Sequence, residues 1–235
     1  MTTQLIPPSI ESYACDYSTE ESLVLSQLNR ETHLKVNLPI MLSGHLQGKV
    51  LEFISHMIQP KQVLEIGTYT GYSAICLAAG LKENGELHTI DINEELYDMC
   101  QSYFEKAGLS KKIIQHIGHA ADIIPRIDCI FDLVFIDGLH EYSQVKKDIL
   151  NSLKFLNKDG FILVHDCLPE SMSKQAVPRY RMTWNGDVWK AIVDLRQDKN
   201  INIYTCEMDQ GIGVIQKKEN TKILKIDKNI KDLKC

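Results

Sequence analysis

The sequence predicts an α/β fold built on a mostly parallel sheet with helices on both faces. Five short apolar runs between residues 63 and 164 alternate with stretches of helical periodicity, a pattern typical of parallel strands joined by crossover helices. The first run ends at Gly67, where the chain turns into a helix. Two further strands, at 201–206 and 212–216, predict an antiparallel hairpin that closes the sheet.

Each element follows from its apolar period and its boundary residues. The predicted strands are 63–66, 87–92, 113–117, 133–136, 161–164, 201–206 and 212–216. The predicted helices are 48–58, 72–79, 94–107, 120–124, 142–155 and 187–197. Ser18, with Glu21 three residues later, predicts a capping box that starts another helix. From residue 217 lysines alternate with apolar residues, which favours a solvated amphipathic helix or a frayed end over a partner-binding helix.

Composition bounds the class of protein. The chain has 235 residues, 44% of them hydrophobic, and 26 Lys+Arg against 31 Asp+Glu give a net charge of -5; we expect a single domain. The acidic balance argues against nucleic-acid binding, and the apolar runs are too short for a membrane-spanning helix. The start lacks the features of a signal peptide, so we expect a cytoplasmic protein. The seven scattered cysteines are interpreted as free thiols.

The turn after the first strand is the first candidate binding site. Its glycines, Gly67 and Gly71, stand four residues apart, which differs from the GxGxxG turn of dinucleotide-binding folds. Glu65 precedes that turn and would repel a phosphate but can reach a cationic amine. Asp91 ends the second strand, where a carboxylate can accept from both ribose hydroxyls. The pattern favours a cofactor without phosphate at the turn; a tight turn with a strand-end cap is the structural alternative.

These residues carry a resemblance to a known family. Segment 63–73 resembles motif I of the S-adenosylmethionine-dependent O-methyltransferases of the catechol and caffeoyl-CoA type. Segment 41–48 lies upstream of it as in that family, 87–91 resembles the family's ribose-binding strand, and 118–125 resembles its adenine-side segment. At Ala120-Ala121 the chain departs from the Ser-Gln of catechol-type enzymes. The resemblance covers roughly residues 20–216.

The resemblance implies a Rossmann-like seven-stranded methyltransferase sheet in the order 3-2-1-4-5-7-6, with the last strand antiparallel. It implies one domain over 1–235, with an N-terminal helical cap (1–60), a Rossmann-like core (61–216) and a basic C-terminal tail (217–235). The implied cofactor is S-adenosyl-L-methionine. The residues expected to bind it are Met41, Ser43, Glu65, Gly67, Tyr69, Ser73, Asp91, Ile92, His119, Ala120 and Asp137.

Two further strand ends predict a metal site. Asp137 follows the fourth strand and His165-Asp166 follow the fifth, and carboxylates at adjacent parallel strand ends suit a divalent cation. We predict Asp137, His165 and Asp166 as ligands of Mg²⁺ or Mn²⁺, or of another transition metal. The imidazole of His165 suits manganese, iron or zinc better than magnesium. A packing role for His165 stays open. So does a register that places Asp166 and Cys167 at the Asp-Asn positions of the family.

His140, three residues after Asp137, is the predicted catalytic base. Its position resembles that of the base in metal-dependent sugar O-methyltransferases, whereas the catechol and caffeoyl-CoA enzymes have a lysine there. A neutral imidazole can take a proton from a polarised hydroxyl near neutral pH. Asp137 is predicted to be catalytic as well. Segment 167–187, with Arg179, Arg181 and Trp184, occupies the place of the family's substrate loop and either grips an aromatic or anionic substrate or packs onto the sheet.

The favoured function is methyl transfer from S-adenosylmethionine to a hydroxyl of a small molecule, assisted by a divalent metal. A noncatalytic cofactor-binding or interaction protein with the same fold is the alternative. A nucleotide-dependent oxidoreductase is disfavoured by Glu65 and by the missing GxGxxG turn. We expect no nucleic-acid or membrane partner. The acceptor, the metal and the oligomeric state, a homodimer included, stay open.

Overall fold

The computed structural model describes residues 8–169, 171–179, 182, 184–208 and 210–233. Arg181 of the predicted substrate loop and Asp209 of the predicted hairpin turn lie outside these residues. The helices are α1 Pro8–Tyr17, α2 Leu23–Lys35, α3 Gly44–Ile58, α4 Tyr72–Ala78, α5 Tyr97–Lys106, α6 Ala120–Ile123, α7 Tyr142–Phe155 and α8 Val188–Leu195. The strands are β1 Gln62–Ile66, β2 Glu86–Asp91, β3 Ile113–Ile117, β4 Phe131–Ile136, β5 Leu156–Val164, β6 Asn202–Cys206 and β7 Ile212–Gln216.

The strands form one seven-stranded sheet in the order β3-β2-β1-β4-β5-β7-β6, which confirms the predicted fold class. β1, β2 and β3 pair in parallel. β7 runs antiparallel to both of its neighbours, β5 and β6, so the predicted closing hairpin is present. Parallel strands carry their carboxyl ends to one edge, where ligands of such sheets bind.

The chain divides into two compact units, the first ending at Leu133 and the second beginning at Val134. The expected single domain, with its cap, core and tail, stays a prediction. In the first unit α3 packs closely against α4 because glycines stand where the two helices meet. A Cβ at Gly48 would lie 2.6 Å from the Tyr72 ring, and a Cβ at Gly80 would overlap the backbone of Ser55.

The helix start predicted at Ser18 is wrong. An unpredicted helix, α1, occupies the preceding residues, and the Ser18 hydroxyl donates to Ala14 O at its end. The next helix begins at Leu23, and Ser22 is its cap, with Oγ accepting from Leu25 N at 3.3 Å. Glu21, the expected second half of the capping box, accepts from the Tyr72 hydroxyl at 2.5 Å instead. A long-range partner has replaced the local one.

In the second unit α7 and α8 are joined through Asp194, whose Oδ2 accepts from the hydroxyl of Tyr142 at 2.6 Å and from Lys146. Over its described residues the tail from 217 forms no α-helix. It ends in a short 3-10 turn, Ile230–Asp232, in which Ile230 is buried and the carbonyl of Lys231 accepts from Lys190 on α8 at 2.9 Å. The amphipathic-helix interpretation of the tail is therefore wrong.

None of the described helices combines the length and the apolar character that crossing a membrane requires. The cytoplasmic location stays a prediction.

Asp148 on α7 is a buried acid that predicts a pH-dependent stability. It is 3% exposed, and burial raises its pKa to about 6 although Gln144 donates to it at 2.9 Å. Because the folded-state pKa lies above the unfolded one, the favourable contribution is present at low pH and is lost as pH rises through about 6. Asp148→Asn should therefore raise the free energy of unfolding by about 1–3 kcal/mol at pH 8 and by much less near pH 4.

Denaturant unfolding at several pH values measures this difference. Asp159→Asn, at an exposed position of β5, is the matched control and should show no such trend. A gain that is the same at every pH would contradict the assignment.

Candidate active site

The turn after β1 is folded over the strand ends by backbone hydrogen bonds. Gly67, at φ 104°, donates to the carbonyl of Ile90 at 2.9 Å. Tyr69 adopts φ 47° and donates its N–H to Asp91 Oδ2 at 2.8 Å. At the start of α4 Gly71 has φ 87°, and a Cβ there would lie 2.7 Å from the Phe104 ring. The predicted glycines are thus required by backbone conformation and by a close approach.

Asp91 connects three segments at this edge. Besides the bond from Tyr69, its Oδ1 accepts from Asn93 N at 2.9 Å and its backbone carbonyl accepts from Gly118 N at 2.8 Å. A carboxylate has about four acceptor positions, so two hydrogen bonds leave Asp91 with capacity for the hydroxyls of a ribose. The strand-end capping role and a ligand-binding role are therefore compatible.

Glu65 lies beneath the turn and has no exposed surface. Its Oε2 accepts from the hydroxyl of Thr89 at 2.6 Å, and that hydroxyl lies 2.5 Å from the hydroxyl of Thr68. A buried carboxylate here makes a phosphate ligand unfavourable, in agreement with the sequence analysis.

The remaining predicted cofactor residues differ in their exposure. Tyr69 joins the upstream segment to the turn, because its hydroxyl lies 3.1 Å from the carbonyl of Asn37 and 3.2 Å from that of Leu38. Met41 is exposed in the 3-10 turn that follows, and Ser43 immediately precedes α3. Ser73 and Ala120 are buried, whereas Ile92 and His119 are exposed. All of these residues belong to the first unit; Asp137 belongs to the second.

In the second unit the structure gathers two acids and two histidines. His140 lies between the acids, with Nε2 3.2 Å from Asp137 Oδ1 and Nδ1 3.0 Å from Asp166 Oδ2. His165 Nδ1 is 3.3 Å from Asp137 Oδ1 and 3.6 Å from Asp166 Oδ2. The ends of the neighbouring strands β4 and β5 bring the predicted catalytic and metal residues of this unit together.

The backbone around this cluster is under constraint. Asp166 adopts φ 61°, a left-handed conformation that few residues other than glycine, asparagine and aspartate tolerate. The N–H of His165 donates to the carbonyl of Ile136 at 3.0 Å, which ties the end of β5 to the end of β4. Strained backbone of this kind concentrates at functional sites.

The irregular segment after β5 holds His140 in place. Trp184 stacks on the His140 ring with centroids 5.6 Å apart, and the N–H of Asp187 donates to the His140 carbonyl at 3.2 Å. Gly186 between them has φ 63°, and a Cβ there would overlap that carbonyl. Arg179 lies over the Trp184 ring, 5.8 Å from its centroid. The segment was expected either to grip a substrate or to pack against the protein. Trp184 packs, because its ring stacks on that of His140.

The charges of the cluster shift its proton affinities in opposite directions. Burial alone would raise the pKa of Asp137, but the charge of His165 and the hydrogen bond with His140 hold it well below its usual range. Burial alone would lower the pKa of His140, but the charge of Asp166 and the hydrogen bonds with both acids raise it to about 10. His140 in this state is therefore protonated at neutral pH. This raised pKa differs from that of the unperturbed imidazole expected from the sequence, and the role of His140 as base stays a prediction.

The donor set suits a metal ion. Ligand atoms of Asp137, His140 and Asp166 all lie within 4.8 Å of one another, and two carboxylates provide the hard oxygens that divalent cations prefer. Cys167, the alternative to His165, is 3% exposed, and its thiol lies 3.1 Å from the carbonyl of Val164, with burial raising its pKa to about 12. The Cys167 thiol is therefore packed in the core and contacts a backbone carbonyl there.

Sequence analysis missed Asn185. Its side chain is 3% exposed, and Nδ2 donates to Asp166 Oδ1 at 2.5 Å and to Gln210 Oε1 at 3.1 Å. It lies 19 residues after Asp166 in the irregular segment, where no period relates it to the strand end. The Asn185-Gly186 dipeptide predicts a turn but gives no sign of a ligand.

Comparison with known proteins identifies the family. A model described as O-methyltransferase matches residues 15–218. The chain belongs to this O-methyltransferase family. A catechol O-methyltransferase of Niastella koreensis is 31% identical over 178 residues, covering 72% of this chain and 80% of the relative. Caffeoyl-CoA O-methyltransferase 1 of Arabidopsis thaliana is 29% identical and covers 68% of this chain, which spans 57% of that enzyme. This member is thus an S-adenosylmethionine-dependent methyltransferase.

Solved structures of this fold align over nearly the whole chain. A methyltransferase from Podospora anserina, bound to SAH, has a TM-score of 0.79 at 21% identity and covers 90% of this chain and 95% of its own. An O-methyltransferase from Streptomyces achromogenes, in complex with SAM, has a TM-score of 0.76 at 24% identity and covers 89% and 96%. At these identities the likeness shows the fold.

The close contact at Gly186 predicts that a larger residue there destabilises the fold. Gly186→Ala would force a Cβ into the His140 carbonyl, and we expect a loss of about 3 kcal/mol or more in the free energy of unfolding. Gly108, at φ 71° with nothing within 4 Å of its added Cβ, is the matched control. Gly108→Ala should cost about 1–2 kcal/mol for its left-handed backbone alone. Equal losses in thermal or denaturant unfolding would contradict the tight contact.

Proposed function

We propose that this O-methyltransferase transfers the methyl group of S-adenosylmethionine to a hydroxyl of a small molecule with the help of a divalent cation. The observation that carries the proposal is a pair of carboxylates, the buried Asp166 and the partly buried Asp137, with the His140 imidazole 3.2 Å from Asp137 and 3.0 Å from Asp166. Such a pair provides both a place for a cation and a base beside it.

The turn after β1 is the proposed cofactor site. Asp91 would accept hydrogen bonds from the ribose hydroxyls, and Gly67 and Tyr69 would shape the turn on which the nucleoside lies. The solved neighbours named for their SAH or SAM support the choice of cofactor. Met41, Ser43, Ser73, Ile92, His119 and Ala120 are proposed to line the rest of the site in the first unit. A cofactor contact of Asp137, which belongs to the second unit, stays a prediction.

Asp137, Asp166 and His165 are the residues proposed to hold the cation. When bound, Mg²⁺ or Mn²⁺ would supply positive charge that orients the acceptor and favours its ionised oxygen. Positioning of the donor methyl and the acceptor then provides much of the rate, since the displacement needs two reactants in line.

His140 is the proposed base. Its ring is oriented by stacking on Trp184 and by the two acids, and a base has to be fixed before it can take a proton from the acceptor. The same two carboxylates hold its proton in the site described above. Compensating their charge lowers the pKa of His140 and frees Nε2 or Nδ1 to accept.

The proposed acceptor is an aromatic or sugar hydroxyl. The relatives' names, catechol and caffeoyl-CoA O-methyltransferase, put aromatic hydroxyls first. The position of His140 resembles that of the base in the sugar O-methyltransferases, so sugar hydroxyls are candidate acceptors as well. A radiolabelled methyl-transfer screen over catechols, flavonoids, hydroxycinnamoyl thioesters and sugars, with and without Mg²⁺ or Mn²⁺, tests the proposal. No transfer to any acceptor, together with intact cofactor binding, would favour the noncatalytic alternative.

Asp91 tests the cofactor site. Asp91→Ala should weaken binding of S-adenosylhomocysteine by about 1.5–3 kcal/mol, the range for hydrogen bonds to a charged group, as measured by calorimetry. Asp91→Asn, which keeps one acceptor for the turn, separates ligand contacts from the fold of the turn. Asp98→Ala, at an exposed position of α5, should leave the affinity unchanged. Unchanged affinity for S-adenosylhomocysteine in Asp91→Ala would mean that Asp91 only caps the end of its strand and does not contact the cofactor.

His140 tests the base. His140→Ala should slow methyl transfer to a neutral hydroxyl at pH 7 by ~10²–10⁴, with a smaller loss for acceptors that are already ionised. His33→Ala, at an exposed histidine of α2, is the control and should keep full activity. Near-normal turnover of His140→Ala would remove the base from the proposal.

Asp137 tests the cation. Asp137→Ala should abolish stimulation by Mg²⁺ or Mn²⁺ while leaving cofactor affinity within a few-fold, because the cation is proposed to contact the acceptor rather than the donor. Full activity of the wild-type protein after exhaustive chelation would contradict the proposed role of the cation. It would not contradict the proposed methyl transfer.

A further inference from the structure

The Asn185 side chain lies at Asp166 with one end of its amide satisfied and the other not. Nδ2 donates to Asp166 Oδ1 at 2.5 Å and to Gln210 Oε1 at 3.1 Å. Oδ1 is buried and accepts no hydrogen bond from the part of the chain that the structure describes. Buried acceptors are rarely left this way, and each exception calls for an explanation.

A purely structural role explains only half of this amide. Hydrogen bonds to Asp166 and Gln210 would fix the loop, but they use only the nitrogen end. The oxygen end is the stronger ligand of the two for a hard cation, which amide oxygens bind as carboxylates do. An amide can exchange its ends by a half-turn of its last torsion, so a cation beside Asp166 would favour the oxygen.

The backbone holds this side chain in position. The N–H groups of Asn185 and Gly186 both donate to the carbonyl of Lys174 at 3.0 Å. On the following residue, Asp187 Oδ1 accepts from Tyr142 N at 2.6 Å. A ligand fixed by its backbone loses little further freedom on binding.

We propose that Asn185 is an oxygen ligand of the divalent cation, beside Asp137 and Asp166. The inference rests on the proposed metal dependence and deepens it. With Asn185 the proposed set of Asp137, Asp166 and His165 gains a third hard oxygen donor, the kind of ligand that Mg²⁺ and Mn²⁺ prefer.

Calorimetric titration of the full chain with Mn²⁺, without acceptor, tests the inference. Asn185→Ala should weaken Mn²⁺ binding at least tenfold, and Asn185→Asp, which keeps an oxygen at this position, should bind within a few-fold of wild type or more tightly. Gln175→Ala removes another buried amide of the same segment, 7% exposed and bonded to Trp189 at 3.1 Å. This control should keep the wild-type affinity within twofold.

The outcomes separate this inference from the proposed function. If wild type binds Mn²⁺ and a folded Asn185→Ala binds it equally well, the ligand assignment is overturned while the cation at Asp137 and Asp166 stands. If wild type binds no Mn²⁺, both fall, and methyl transfer without metal is what remains. Should Asn185→Ala fail to fold, Asn185→Ser, whose hydroxyl is too short to reach the same place, gives the same comparison. Thermal unfolding without metal checks that each variant is folded.

Discussion

Two negative charges at neighbouring strand ends, one buried and one partly buried, are the constraint on which the proposed catalytic site depends. Asp137 and Asp166 follow β4 and β5, adjacent strands of the sheet, and carboxylates brought so close need positive charge between them. The imidazole of His140 supplies positive charge there, with support from His165. The left-handed backbone of Asp166 and the stacking of Trp184 maintain this arrangement at a cost in strain.

At the proposed cofactor site a carboxylate is used differently. Asp91 accepts hydrogen bonds from the turns that surround it instead of from a charged partner, so the same side chain that shapes the turn can meet a neutral sugar hydroxyl. Glu65 is buried through Thr89 and Thr68. The two proposed sites thus place carboxylates in different surroundings, one set accepting from neutral donors and the other bound to imidazoles.

Local patterns predicted the fold well wherever local forces decide it. The bounds of β3, α7 and β7 agree residue for residue, because apolar period and turn residues mark both ends. α1 and the cap of α2 were missed, since Glu21 is claimed by Tyr72 from a distant helix. The predicted order of the strands was enough to expect Asp137, His140 and Asp166 close together. Asn185 and the high pKa of His140 arise from contacts across 19 and 26 residues of chain, respectively, and no sequence period encodes them.

The segment that follows β5 has a consequence for how relatives of this protein can diverge. Trp184, Gly186 and Asp187 clamp the proposed base, yet they belong to the region in which acceptor preference is expected to vary. A change in this segment that alters the acceptor would therefore also alter the contacts that hold His140. A chimera that exchanges residues 167–187 with those of a relative should therefore exchange residues 137–142 as well. Otherwise the new segment would not make the contacts that position His140.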